Sequence, residues 1–401
     1  MEFISKRMVY AGSPIREEED LAKRLAKEGK KVIKLNSGDP PKFLPTPEYI
    51  LEAYARALKE RKTYYADSQG VAELREAVAS YYKRHYNVDL DPARIVVTQG
   101  VSEAISFVNT ALIGRGDRAV LISPYYPSYA SYIGLSGGKP MFVPSIEERD
   151  WSVDLDALEK TVKKAKRIKY LLVINPNNPT GSVLDRKVLE EIVGIAKDND
   201  LFLVSDEIYD EMVFDGNFTS ISQVAKGMPY LLLNGASKTF NVTGIRIGYA
   251  ALPENDAISN ELLNSMVQLA RLRISANTPA QYAVAYAMND VAAYEKAVAQ
   301  LREEIKSRVL FTAQEVNKSK YLHAVVPRAA FYVFAKLETS LLNVKDDKEF
   351  VTKLLEEKQV QITRGSGFGA LNHVRLVALA DKETMSLAIS KIEEFCKEHA
   401  R

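Results

Sequence analysis

Lys238 stands just past an apolar run and eight residues ahead of Arg246, in the string Asn234-Gly235-Ala236-Ser237-Lys238-Thr239-Phe240-Asn241-Val242-Thr243-Gly244-Ile245-Arg246-Ile247-Gly248-Tyr249. A desolvated lysine with cationic neighbours loses proton affinity, so its neutral amine can condense with an aldehyde, while an arginine nearby can hold a phosphate. One motif thus offers a nucleophile and an anion clamp. The preceding Pro229-Tyr230-Leu231-Leu232-Leu233 reads as a buried strand, and α/β proteins place ligands at strand ends. Two rival readings fail on spacing. A P-loop needs Gly directly before its Lys and another five positions earlier, where Ser237 and Leu232 stand. A Ser-x-x-Lys acyl-transfer pair needs Ser at the position of Gly235.

Other chemistry-bearing residues follow the same plan. Asp206 closes the apolar run Leu201-Phe202-Leu203-Val204-Ser205. A buried acid needs a cationic partner, and a pyridinium nitrogen would serve as well as a side chain. Tyr209, three residues on, could donate its phenol to a ring oxygen. Tyr170-Leu171-Leu172-Val173-Ile174 runs into Asn175-Pro176-Asn177-Asn178-Pro179-Thr180-Gly181, a turn whose prolines would hold the Asn178 amide rigidly. Gln99-Gly100-Val101-Ser102 opens a helix after a strand, so its free amides and positive dipole end suit a phosphate. Pro124-Tyr125-Tyr126-Pro127 could lay Tyr126 on an aromatic face. Arg375 is a charge inside His373-Val374-Arg375-Leu376-Val377, and its planar fork suits a carboxylate.

The elements carrying these residues alternate helical patterns with short apolar runs, which predicts βαβ units and a mainly parallel sheet. Expected strands are 94–98, 118–123, 170–174, 201–205, 230–233 and 245–252, the last including Arg246. Helix starts are read at Thr46-Pro47-Glu48, with Thr46 as cap, at Asp185 and at Thr278-Pro279. Residues 291 to about 318 contain neither Gly nor Pro and predict one long helix leading to a second unit. There, strands near 330–335, 360–363 and 373–378 pair with helices near 348–357 and 382–399. Expected boundaries are an N-terminal arm over residues 1–45 packing on the small domain, a large domain over 46–290 and a small α+β domain over 291–401.

With 46% hydrophobic and 26% charged residues among 401, the composition is that of an ordinary globular protein. Its 54 basic and 52 acidic residues leave a net charge of +2, which gives no reason to expect nucleic acid or a membrane as partner. No window of about 18 uncharged apolar residues occurs, and the first residues lack the apolar core of a signal peptide, so a cytoplasmic location is expected. Four scattered histidines and the single Cys396 argue against a metal site and exclude an internal disulfide.

Together these strings resemble the class I/II aminotransferases of fold-type I, from about residue 30 to the C-terminus and in the expected order. That resemblance implies an α/β fold with a mainly parallel seven-stranded sheet in the large domain, and pyridoxal 5'-phosphate as cofactor. It implies Lys238 as the Schiff-base lysine and proton-shuttling base, Asp206 at the pyridine nitrogen, and Asn178 and Tyr209 at the ring's 3-oxygen. Ser102, Ser237 and Arg246 would hold the phosphate with amides near Gly100 and Val101; Gly38 and Arg375 would grip the α-carboxylate. Tyr65, in Tyr64-Tyr65-Ala66-Asp67-Ser68-Gln69-Gly70, matches a tyrosine that members lend to a neighbouring subunit's phosphate, which implies a homodimer. Gly235 departs from the pattern, since many members carry Ser there. Finer strings, including Asn277-Thr278-Pro279-Ala280-Gln281 and Gly365-Ser366-Gly367-Phe368-Gly369, resemble the archaeal and bacterial alanine aminotransferase branch. L-alanine and 2-oxoglutarate are the expected substrates, with Arg16, Arg271 or Arg273 pairing the second carboxylate. Aspartate, aromatic or broad specificity, and a carbon–sulfur lyase, are the alternatives.

Overall fold

Strands form where β-branched and large apolar residues cluster between turn-formers, and the computed structural model, which describes residues 3–401, contains fourteen of them. In chain order they are β1 (Ile33–Lys34), β2 (Ile95–Thr98), β3 (Arg118–Ser123), β4 (Lys139–Ile146), β5 (Ser152–Val153), β6 (Ile168–Ile174) and β7 (Phe202–Asp206). Then come β8 (Tyr230–Gly235), β9 (Gly248–Ala251), β10 (Leu322–Ala324), β11 (Tyr332–Leu337), β12 (Val360–Gln361), β13 (Thr363–Arg364) and β14 (His373–Val377). The large sheet runs β2-β9-β8-β7-β6-β3-β4-β5. Its centre, β8-β7-β6-β3-β4, is parallel, whereas β9 lies antiparallel between β2 and β8, and β5 is a two-residue antiparallel edge beyond the seven expected strands.

Alternation along the central strands makes two cores. Leu171, Val173, Leu203 and Leu232 point into one layer, with Val97 and Val120; Tyr170, Leu172, Val204, Leu231 and Leu233 point into the other, with Val96 and Leu121. Both faces are therefore covered, the usual state of a parallel sheet. Each buried Leu or Val adds about 1.5–3 kcal/mol. A third core surrounds the sheet β10-β11-β14-β13 and draws on the helices Val291–Val316, Asp347–Lys358 and Lys382–Glu398. On this unit sits N-terminal chain: β1 pairs with β12, and Ala22 and Leu25 of the Glu19–Lys27 helix pack on Leu355.

Several local expectations need correction. Strand β4 was not expected, because Pro140 and Pro144 mask its pattern; Pro near a sheet margin is tolerated where its missing amide is not needed. Thr46 does not cap the Glu48–Lys59 helix: Pro47 holds that position, and the Thr46 hydroxyl donates to the Asn241 carbonyl at 2.9 Å. The Thr278–Asn289 helix starts as expected, with Asn277 as its cap. Arg246 is not in a strand. It adopts a left-handed conformation (φ 60°) after the 3-10 turn Thr243–Ile245, and β9 begins two residues later.

Candidate active site

Strand direction gathers the chemistry at one edge of the large sheet. The carboxyl ends of β2, β3, β6, β7 and β8 lie there, followed by Val101 and Ser102, Tyr126, Asn178, Asp206, and Ser237 with Lys238. Because β9 runs the other way, Arg246 reaches the same edge from in front of it. Gly38, Tyr209 and Arg375 complete the walls of one cavity of about 540 Å3 shared by all these residues. Of the remaining sequence candidates, Gly100 lies beneath the wall, and Tyr65 is 80% exposed and does not line the cavity.

Lys238 sits on the one-turn helix Ala236–Thr239, and its Nζ donates to the Gly38 carbonyl at 2.8 Å. Burial holds its amine down at about 8; Asp39 opposes this shift, and Arg246 and Arg375 reinforce it. A neutral amine is therefore accessible near physiological pH. Asp206 is 4% exposed, and burial pushes its carboxyl up to about 6. Tyr129 opposes that rise by donating its hydroxyl to Oδ2 at 2.8 Å, and the Ile208 amide donates to Oδ1 at 3.2 Å.

Arg375 is 1% exposed in β14, with its guanidinium about 4.5 Å from the Tyr332 and Phe368 ring centres. Nη1 donates to Asn178 Oδ1 at 2.9 Å and Nη2 to the Asn36 carbonyl at 2.6 Å, while Nε is buried without a partner. Among the described residues no carboxylate pairs with it. A buried arginine lacking an anion is an anion receptor. The second anion seat lies at the Val101–Leu112 helix, whose start at Gly100 (φ 73°) has no side-chain cap. Beside it, Arg246 donates Nη1 to the Thr243 carbonyl at 2.8 Å and has no ion-pair partner among the described residues. A methyl on Gly100 would strike the Arg246 guanidinium, and one on Gly248 would lie 2.6 Å from the Gly100 carbonyl carbon and the Val101 amide nitrogen. Gly235 is equally confined, since a methyl added there would lie 2.7 Å from Gly248 Cα, so the close approach of β8 and β9 leaves no room for a side chain.

Several residues were missed from sequence. Tyr332 shares a hydrogen bond of 2.7 Å with Tyr209, and Tyr129 holds Asp206. Asn36 joins Arg375, through its carbonyl, to the Ile15 carbonyl, which its side-chain amide contacts at 2.9 Å. Asn234 donates to Asp210 Oδ2 at 2.8 Å and accepts from the Gly235 amide at 2.7 Å, tying the Lys238 segment to the Tyr209 segment. A polar residue inside an apolar strand was the available signal for Asn234; for Tyr129 there was none.

Of the three arginines considered for a second carboxylate, Arg16 lines the cavity, on the 3-10 turn Pro14–Arg16, and its guanidinium has no hydrogen-bond or ion-pair partner among the described residues. Arg273 is taken by Glu103 at 3.3 Å and by the Val97 carbonyl. Arg271 does not line the cavity. The 365–369 segment packs as a 3-10 turn: Phe368 lies under Arg375, and Gly367 faces Pro14.

The chain matches the family described as aminotransferase class I and II over residues 30–392. It is 35% identical over 392 residues to the aromatic-amino-acid aminotransferase 2 of Thermococcus litoralis, covering 96% of each chain. It is 34% identical to an aspartate aminotransferase of Thermotoga maritima, covering 93% of this chain and 94% of that one. In three dimensions it is similar to an alanine aminotransferase from Pyrococcus furiosus, with a TM-score of 0.93, 38% identity, and 99% and 100% of the two chains covered.

Proposed function

Because the chain belongs to the class I and II aminotransferases, pyridoxal-phosphate enzymes that exchange an amino group between an amino acid and a 2-oxo acid, we propose that it converts L-alanine and 2-oxoglutarate to pyruvate and L-glutamate. Its residues fit the cofactor. The uncapped helix start with Ser102, Ser237 and Arg246 would hold the phosphate; buried Asp206, with no cation paired to it among the described residues, would meet the ring nitrogen; Asn178 and Tyr209 would meet the ring oxygen. Bound there, pyridoxal phosphate supplies the electron sink and the carbon that carries the amino group between half-reactions.

The protein's part is positioning and proton transfer. Arg375 binds the substrate α-carboxylate, with Gly38 leaving room for it: a methyl at this glycine would lie 2.8 Å from the Phe331 ring. Lys238 Nζ, kept partly neutral by burial, takes the proton from the substrate α-carbon and returns it on the cofactor side; a well-placed base of this kind contributes about 10²–10⁴ in rate. Asp206 stays ionised against the ring nitrogen.

The observation that carries the dicarboxylate half of the reading is Arg16, whose guanidinium is unpaired among the described residues and lies in the same cavity as Arg375. Two separate arginines suit the two carboxylates of glutamate and 2-oxoglutarate. Alanine as donor rests on the likeness to the Pyrococcus furiosus enzyme. Aspartate is the second reading, since its distal carboxylate would use Arg16 equally well. Steady-state kinetics separate them: kcat/KM should be highest for L-alanine, well above L-aspartate and L-phenylalanine, and the reverse order removes the alanine reading. Replacing Arg16→Met should raise KM for 2-oxoglutarate about tenfold or more while leaving that for pyruvate unchanged.

A homodimer is part of the same proposal. Tyr65, 80% exposed in a loop with half-exposed Tyr64, and Leu272, 82% exposed at the end of the Ala257–Leu272 helix and followed by half-exposed Ile274, belong to segments that the Thr278–Tyr64 and Ser68–Ile274 hydrogen bonds hold together. Such an apolar patch suits a second copy of the chain.

A further inference from the structure

Tyr129 lies on the short helix Ser128–Leu135, just beyond the turn that carries Tyr126, and is 1% exposed. Its hydroxyl has one hydrogen bond among the described residues, to Asp206 Oδ2 at 2.8 Å. The geometry is that of a dedicated donor, since nothing else competes for the phenol. Asp206 in turn has no cation within ion-pair distance among the described residues and lines the cavity. Tyr129 is thus the strongest side-chain support of a carboxylate that burial would otherwise neutralise.

We propose that Tyr129 is a positioning residue of the amino-transfer reaction, whose hydroxyl holds Asp206 ionised so that Asp206 leaves the shared proton on the cofactor's ring nitrogen. The inference rests on the pyridoxal-phosphate reading of the cavity. Between a pyridine nitrogen and a carboxylate the proton goes to the stronger base. Each hydrogen bond donated to the carboxylate weakens its basicity, so the Tyr129 hydroxyl pushes the proton toward the nitrogen, and its removal draws the proton to Asp206. Nothing is gained or lost in the balance: one proton moves between two atoms. Burial and the Asp206 charge push the pKa of the Tyr129 phenol well above its ordinary value, so it stays protonated and remains a donor across the working pH range.

The other titratable groups nearby are Lys238 on the far side of Asp206, Tyr209 backed by Tyr332 and Arg375, and Tyr126 and Tyr170 beside Tyr129. Tyr170 provides a matched control. It is equally buried, but its hydroxyl donates to Asn109 Oδ1 at 3.0 Å instead of to Asp206.

The test uses holoenzyme loaded with pyridoxal phosphate labelled with ¹⁵N in the ring, and follows the ring-nitrogen chemical shift with pH. In the wild type the shift should stay that of a pyridinium to high pH. In Tyr129→Phe it should move toward the neutral ring about one pH unit or more earlier, kcat should fall about tenfold, and KM for the amino donor should change little. Tyr170→Phe should leave the titration where it was. Should Tyr129→Phe fail to fold, 3-fluorotyrosine at position 129, a stronger donor of nearly the same shape, should extend the pyridinium range upward. A titration unmoved in Tyr129→Phe or in the fluorotyrosine protein, or moved equally by Tyr170→Phe, overturns the proposal while the cofactor reading stands. Failure of the wild-type protein to take up the labelled cofactor overturns both.

Discussion

Lys238 and Asp206 each sit away from their ordinary protonation equilibrium, and burial is the first cause for both. The signs are opposite to those of a stabilising ion pair. Asp206, raised from 3.8 to about 6, stabilises the cofactor-free fold only while protonated, so that contribution is present below pH 4 and lost as pH rises through about 6. Lys238, lowered from 10.5 to about 8, contributes stability above its ordinary value that is lost as pH falls through about 8. Between pH 6 and 8 the cofactor-free protein bears both costs, each about 3 kcal/mol at most and less for the part-exposed Lys238. Asp206→Asn and Lys238→Met should therefore each raise the Tm of the cofactor-free protein at pH 7. At pH 10.5 the Lys238→Met gain should shrink, and at pH 4 the Asp206→Asn gain should vanish. Calorimetry showing lower Tm for both variants at pH 7 would contradict this account. The residue types and their order were the sequence's grounds for proposing these two residues; the sizes of the shifts depend on burial, which no local string reports.

Three elements meet at the proposed phosphate seat, and glycine makes the meeting possible. The end of β8, the start of β9 and the start of the Val101–Leu112 helix approach at Gly235, Gly248 and Gly100, where an added methyl would lie within about 2.8 Å of backbone or against Arg246. Gly248→Ala should therefore separate β9 from the helix start, cost about 1–3 kcal/mol in overpacking, and weaken pyridoxal-phosphate binding about tenfold, read by equilibrium dialysis. Gly194→Ala is the contrasting case. This glycine lies inside the Arg186–Asp198 helix with nothing within 4 Å of a new Cβ, so the change should stabilise by about 0.5–1 kcal/mol without altering cofactor affinity. Most strands and helices here were readable from period and punctuation. Strand β4 escaped because of its two prolines, and Arg246 was assigned to a strand because its apolar neighbours mimic alternation, whereas the chain turns through a left-handed residue there.

The assembled chain leaves Tyr65 outside its own cavity, so the role expected for it can be met only across an interface between two copies. Mixing experiments test this. Lys238→Ala and Tyr65→Ala proteins, unfolded and refolded together, should regain activity above that of either parent, because the mixed dimer has one site with both residues intact. Sedimentation as a monomer, or no gain on mixing, would contradict the dimer. Within one chain, the contacts that finish the site come from distant segments: Asn36 and Asn178 on Arg375, Gly38 on Lys238, Tyr332 on Tyr209, Tyr129 on Asp206. Family, fold class and cofactor were already readable in the chain, and most residues named for the site line one cavity, because a motif, a turn or a strand end is local and its residue types must suit the reaction. Tyr129 as the partner of Asp206, and Arg16 over Arg271 and Arg273, emerged from folding alone. Those choices depend on which side chains are brought within hydrogen-bond reach and which charges are left unpaired, and both are properties of packing between segments far apart in sequence.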